Sequence, residues 1–284
     1  MGSADIVPGV SGGTIALVFG IYERLVAEVR GGAGAIAALV RLDVRGALDR
    51  AKAVDWTFVI SLAVGILTAI VALANVLEHL LEDEPVLLSG LFLGLVAGSV
   101  VVAAGMLKAP AASHVAVGAV VAVVAFVGLG VKGGTITDPS LLVYVAGGAV
   151  AICAMILPGI SGSFILLLLG LYDAVIGAVS DRDLLVVGAV GLGAVVGLAA
   201  FSTLLNWLLE HHHDVVLAAL IGLMAGSMRV LWPWPAGEDG VGDTGLQAPD
   251  GDVVGVVLLV VVGAVVVLAV AALGRRVREP QPAR

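Results

Sequence analysis

An all-α polytopic membrane protein built as an inverted repeat is the fold class the sequence predicts, and three observations carry it. The chain of 284 residues is 60% hydrophobic and 13% charged, with a mean hydropathy of +1.15, where soluble domains sit nearer half apolar. Apolar runs recur along it at the length a bilayer demands. A stretch near the start returns about halfway along: residues 7–29 read VPGVSGGTIALVFGIYERLVAEV and residues 157–179 read LPGISGSFILLLLGLYDAVIGAV.

Laid together without a gap, the copies share Pro8 with Pro158, Gly9 with Gly159, Ser11 with Ser161, Gly12 with Gly162, Gly20 with Gly170 and Tyr22 with Tyr172. Each puts proline, glycine and serine ahead of an apolar helical run, so the backbone breaks at the motif and restarts as a helix after it. A helix start leaves N–H groups without partners and carries partial positive charge. A break at membrane depth is tolerated only where protein or a wet cavity surrounds it. Two matched breaks therefore point to an anion site. The plainer use of a PG-S-G stretch, as a packing or hinge device, accounts for one copy better than for two.

The first repeat covers residues 1–140, with a hairpin at 7–29 whose helix runs to about Val29 and spans at about 56–77, 85–107 and 114–131. Residues 30–55 carry Arg30, Arg41, Arg45, Arg50 and Lys52, which places them in the cytoplasm, with an amphipathic helix on the membrane surface. The GLFLGLVAGS run at 90–99 has small residues at the spacing that lets helices approach closely. The second repeat covers residues 141–284. Its hairpin, 141–180, is too long for one span and is broken near its middle into two half-helices; spans follow at about 184–209, 215–234 and 253–273. The stretch IGLMAGS at 221–227 echoes LGLVAGS at 93–99.

Sidedness can then be counted. With residues 30–55 inside, three crossings put 132–140 outside, the hairpin returns 181–183 to the same face, and three more bring Arg275, Arg276 and Arg278 inside. The odd number of crossings inverts one repeat against the other about a two-fold axis in the membrane plane. The expectation is a multi-pass protein of the cytoplasmic membrane with a cytoplasmic C-terminus.

One cysteine, Cys153, excludes an internal disulfide and a cysteine metal cluster, and packing is its expected role. The net charge of −8 leaves no basic face for nucleic acid. No cofactor and no metal are expected. A homo-oligomer, and coupling to protons or sodium, stay open, with Asp5 beside the first break as one residue that could take up a proton.

The stretches PGVSGGTIALVFGIY and LPGISGSFILLLLGLY, with the segments GLVAGS and GLMAGS, resemble the polyprenyl-phosphate transporter family, membrane proteins long catalogued only as a domain of unknown function. The resemblance covers nearly the whole chain. It implies translocation of undecaprenyl phosphate, or of dolichyl phosphate, back to the cytoplasmic leaflet for reuse in wall or glycan synthesis. Family members usually carry an apolar half-helix before the first motif, and here residues 1–7 precede Pro8, so the resemblance implies either an upstream start or an incomplete first hairpin.

A polyprenyl phosphate is an anion on a long apolar tail, and its carrier needs a head-group pocket shielded from lipid with a side opening for the tail. Backbone N–H groups of Gly9, Gly12, Gly13, Gly159 and Gly162 can point at phosphate oxygens, and the hydroxyls of Ser11, Thr14, Ser161 and Ser163 add donors. Ser11 and Ser161 are also placed to cap their helices. Arg229, inside a predicted span, is a candidate for charge compensation by default, or a residue snorkelling to the outer interface. Arg24 has no mate in the second copy and ranks lower. Tyr22 and Tyr172 read as interfacial anchors or tail contacts. Glu78, Glu210, His79 and His211, His212 and His213 read as solvated span ends, with a pH-sensing or metal-binding run as the minority reading. Asn75 and Asn206 read as links between helices.

Two rivals follow from the same residues. The strings GVSG and GISG fit the GxSG pattern of intramembrane serine proteases, but such a serine needs a base, usually histidine, within hydrogen-bond reach. The stronger rival is a channel or carrier for a small inorganic anion, which would use paired glycine-serine helix starts in the same way.

Overall fold

A computed structural model describes residues 1–2, 11–131, 134–235 and 245–278, the side chains of Glu78 and of residues 275–278 excepted. Asp5, Pro8 and Gly9 lie outside the described residues. All regular structure among the described residues is helical, and five helices are long and apolar enough to cross a membrane, or six if one bent pair is counted as a span.

The motif helix α1 (Gly12–Val18) stops well short of Val29, which corrects the sequence reading. Gly20 takes φ +61°, the N–H of Ile21 reaches back to the carbonyl of Ala16 and that of Gly20 to Leu17, and a new helix α2 (Tyr22–Val40) starts at once. Those paired bonds close the last turn of a helix around a left-handed residue, which glycine adopts without a Cβ penalty. Helix α2 then runs eleven residues beyond Val29, and after a turn at Leu42 comes α3 (Val44–Ala53), capped by Asp43. Helix α3 is amphipathic, with Ala47 buried and Val44 and Leu48 open beside Arg45 and Lys52.

Helices α4 (Trp56–Asp83) and α5 (Pro85–Ala104) follow, parted at Glu84; proline at the first position of α5 has no N–H to leave unpaired. The first span is thus longer than 56–77 and the second ends three residues before 107. Helix α6 (Ala112–Gly128) replaces the expected 114–131 and is short for a span.

The second hairpin is built from three helices, not two: α7 (Leu141–Ile156), α8 (Gly162–Leu168) and α9 (Tyr172–Ser180). Gly162 lies against Ala151 and Met155, and Leu171 against Gly147, so α8 runs back along α7. At Gly170, φ +68°, the bonds from Leu171 to Leu166 and from Gly170 to Leu167 repeat those around Gly20, and α9 leaves α8 at 114°. Helix α10 (Leu184–His211) is 28 residues long, as is α4, and each begins on an aspartate cap, Asp183 and Asp55. Helix α11 (His213–Ser227) ends in a 3-10 turn, Met228–Leu231, and α12 (Val253–Arg278) closes the chain as described.

Three helix pairs hold the bundle, α5 with α12, α6 with α11 and α7 with α10. Gly90, Gly94 and Gly98 approach Val256, Val260 and Ala264; Gly222 meets the carbonyl of Gly118; Gly193 and Gly197 meet those of Val145 and Ala149. Spacing of four residues keeps each set on one helix face, where the missing side chains let backbones touch. The main core joins Leu17, Tyr22 and Val26 to Phe92 and Val96 of α5 and to Leu217, Leu220 and Met224 of α11. Helix α4 runs on the outside of this bundle. Asn75 lies on that outer surface, and Asn206 bonds to Glu210 of its own helix, so the expected role of the two as interhelical links is corrected.

At one end of the bundle Arg24 pairs with Asp55 and lies over the Phe58 ring, and Glu28 accepts from the Asp55 N–H at 2.8 Å. The Phe58 N–H, with the Arg24 guanidinium beside it, holds the Asp55 carboxyl below its ordinary value of 3.8. A lowered folded-state pKa stabilises above the unfolded carboxyl's range and loses that contribution as pH falls through the folded value. Unfolding midpoints of the wild type and Asp55→Asn, followed from about pH 6 down to about pH 3, are therefore expected to converge on the acid side. A constant gap would show that Asp55 contributes no pH-dependent stability.

Candidate functional site

The two motifs meet. Ser11 caps α1, its Oγ accepting from the Gly13 N–H at 3.1 Å, and the same hydroxyl donates to the carbonyl of Leu157 at 3.3 Å. A Cβ on Gly13 would sit 3.0 Å from the carbonyl oxygen of Ile156 and 3.3 Å from the Pro158 nitrogen, so glycine permits this approach. Tyr22 donates to the Ile156 carbonyl at 3.2 Å. It is 1% exposed, which corrects its reading as an interfacial anchor.

The second motif is set differently. Ser161 occupies the cap position of α8 but makes no capping bond; its hydroxyl pairs with that of Ser163 at 2.8 Å, on the open side of the turn. Capping therefore holds for Ser11 and fails for Ser161. Gly159, at φ +88°, packs against Met224 and the Ser227 hydroxyl, in the segment GLMAGS. A Cβ there would fall 2.7 Å from the Ser227 Oγ, so both conformation and space demand glycine.

Gly12, Gly13 and Gly162 are buried at the starts of α1 and α8. Thr14 is also buried, and its Oγ1 has no hydrogen-bond partner among the described residues. A buried hydroxyl left unpaired costs about 1–3 kcal/mol. Thr14→Val, which keeps the shape and removes the orphan, is expected to raise the unfolding midpoint of the ligand-free protein by about 1 kcal/mol in stability while reducing function. A lower midpoint would mean that the hydroxyl has an internal partner when the protein is at rest.

Arg229 lies in the 3-10 turn after α11, its guanidinium 4.8 Å from the centre of the Phe126 ring and against Gly130, two residues past the end of α6. The histidines fall elsewhere. His213 is mostly covered, between Glu23 and Asp214 at 2.8 Å each, and Asp214 also accepts from the Lys108 and Ala109 N–H groups, which corrects the reading of His213 as solvated. Among the described residues, no histidine is a partner of Ser11 or Ser161 and no group of three metal-ligating side chains is found. Cys153 is half-buried, its Sγ 3.7 Å from the Gly197 carbonyl.

Sequence alone did not single out Tyr22 as a link between the motifs or His213 as a link between α2 and α11. Both depend on contacts made across the fold, Tyr22 with Ile156 and His213 with Glu23. The matched Tyr22 and Tyr172 were the one available signal.

Broken helices meeting inside the core of a bundle of apolar, span-length helices define a multi-pass helical membrane protein with a buried polar junction. Residues 1–247 match the VCA0040-like family, described as undecaprenyl phosphate translocase-like, and the chain belongs to that family. It is 39% identical over 234 residues to a polyprenyl-phosphate transporter of Vibrio cholerae, covering 82% of this chain and 75% of that one. It is 30% identical over 250 residues to a polyprenyl-phosphate transporter of Staphylococcus aureus, covering 82% and 83%. No solved structure matches. These relationships make the protein a membrane transporter.

Proposed function

We propose that this protein carries polyprenyl phosphate, undecaprenyl or dolichyl, across the cytoplasmic membrane for reuse as a carrier lipid. Its head group binds where the two motifs meet. Gly162 offers a backbone N–H group at a helix start, Ser11, Thr14, Ser161 and Ser163 offer hydroxyls, and Gly12, Gly13 and Gly159 keep the chain free of side chains where the motifs meet. Arg229, in the 3-10 turn after α11, supplies positive charge. The two halves, 1–140 and 141–284, act as inverted repeats that present the site to one leaflet and then the other. The arginine-rich C-terminus lies in the cytoplasm.

The observation that carries this reading is the contact of the Ser11 hydroxyl with Leu157, buried among apolar helices beside the unpartnered Thr14 hydroxyl. The names of the relatives point to the same class of substrate. Proteoliposomes test it: polyprenyl phosphate is expected to change leaflet in a protein-dependent way, with chloride and inorganic phosphate left in place. Flux of either ion without movement of the lipid would replace the proposal with an inorganic anion carrier.

A further inference from the structure

The two motif hairpins match in sequence but differ in exposure. Leu17 is 4% exposed and its mate Leu167 46%; Tyr22 is 1% exposed and its mate Tyr172 36%. Ser11 is buried while Ser161 is half-open and Ser163 open. Under the inverted-repeat reading proposed above, this difference in surroundings corresponds to one of two unlike states.

On the closed side lies a cavity of about 150 Å³, lined by Leu17, Tyr22, Met106, Leu217 and Leu220, with Glu23 and His213 also on its wall. The Tyr22 ring is part of that wall, and its hydroxyl reaches the Ile156 carbonyl at the tip of the opposite hairpin. One side chain thus touches both the cavity and the junction of the motifs.

We propose that Tyr22 is the gate between the motif junction and this cavity. Its hydrogen bond to Ile156 latches the gate shut, and Tyr172 takes the buried position when the carrier turns over. The inference rests on the transport reading given above, and it assigns Tyr22 a positioning role through Ile156 rather than contact with the lipid. Loss of the hydroxyl should free the hairpin tip while the ring keeps the core filled. Loss of the ring should open the cavity as well.

The test uses the full chain in lipid nanodiscs, with Cys153→Ala to remove the single cysteine and Leu220→Cys as a reporter on the cavity wall. The rate of modification by a charged maleimide is measured. Tyr22→Phe is expected to raise that rate about tenfold, the population shift that one net hydrogen bond can produce. Tyr22→Ala should raise it further, and Tyr172→Ala, which weakens the opposite state, should not raise it. An unchanged rate in Tyr22→Phe, with its unfolding midpoint intact, overturns the gate, and this variant decides the matter even if the alanine variant does not fold. The labelling needs no lipid substrate, so a failed gate and a failed transport reading are told apart by running the liposome assay on the same variants.

Discussion

Ser11→Ala combined with Ser161→Ala is expected to reduce polyprenyl-phosphate transport by on the order of a hundredfold. Each hydroxyl that bonds a charged group contributes about 1.5–3 kcal/mol, and losing two removes at least twice the lower figure. The two changes act unequally on the resting protein. Ser11 caps α1 and holds Leu157, so its loss costs about 1 kcal/mol of stability. Ser161 makes no cap, and its replacement should leave the unfolding midpoint nearly unchanged. Each single variant and the double variant would be assayed in the same proteoliposomes, with membrane insertion checked. Wild-type transport by a correctly inserted double variant would remove the hydroxyls from the head-group site.

Gly222→Val is expected to be among the most damaging single changes to the fold. A Cβ at Gly222 would lie 2.1 Å from the Gly118 carbonyl oxygen, so even the first added atom forces α6 and α11 apart. Overpacking of this kind costs about 3 kcal/mol, and valine adds two more carbons to the clash. The strain falls on α11, the helix that holds Met224 and Ser227 against Gly159. Transport should disappear together with folded protein, read as loss of a monodisperse peak and of the unfolding transition. Gly65→Ala is the matched control, since nothing lies within 4 Å of its added Cβ; it should be neutral or gain up to about 1 kcal/mol from helix propensity. Equal tolerance of the two changes would mean that close helix contact does not hold the bundle.

The class of the protein and the positions of its two helix breaks can be read from the residues. Hydrophobic runs of bilayer length dictate membrane helices, because no other open structure satisfies its backbone in lipid. Proline and glycine must break a helix wherever they fall together, so the doubled PG-S-G stretch was legible as two breaks. The close-packed glycines of α5 were legible for the same local reason. Local rules also contained the second break at Gly20 and Gly170, but a single glycine in an apolar run does not reveal whether it will turn left-handed. Folding in three dimensions settled that Ser11 caps and bridges while Ser161 does neither, and that Tyr22 is buried while Tyr172 is open. Those outcomes depend on which helices pair across the bundle. A sequence match treats equivalent residues alike, whereas packing gives each copy a different set of neighbours.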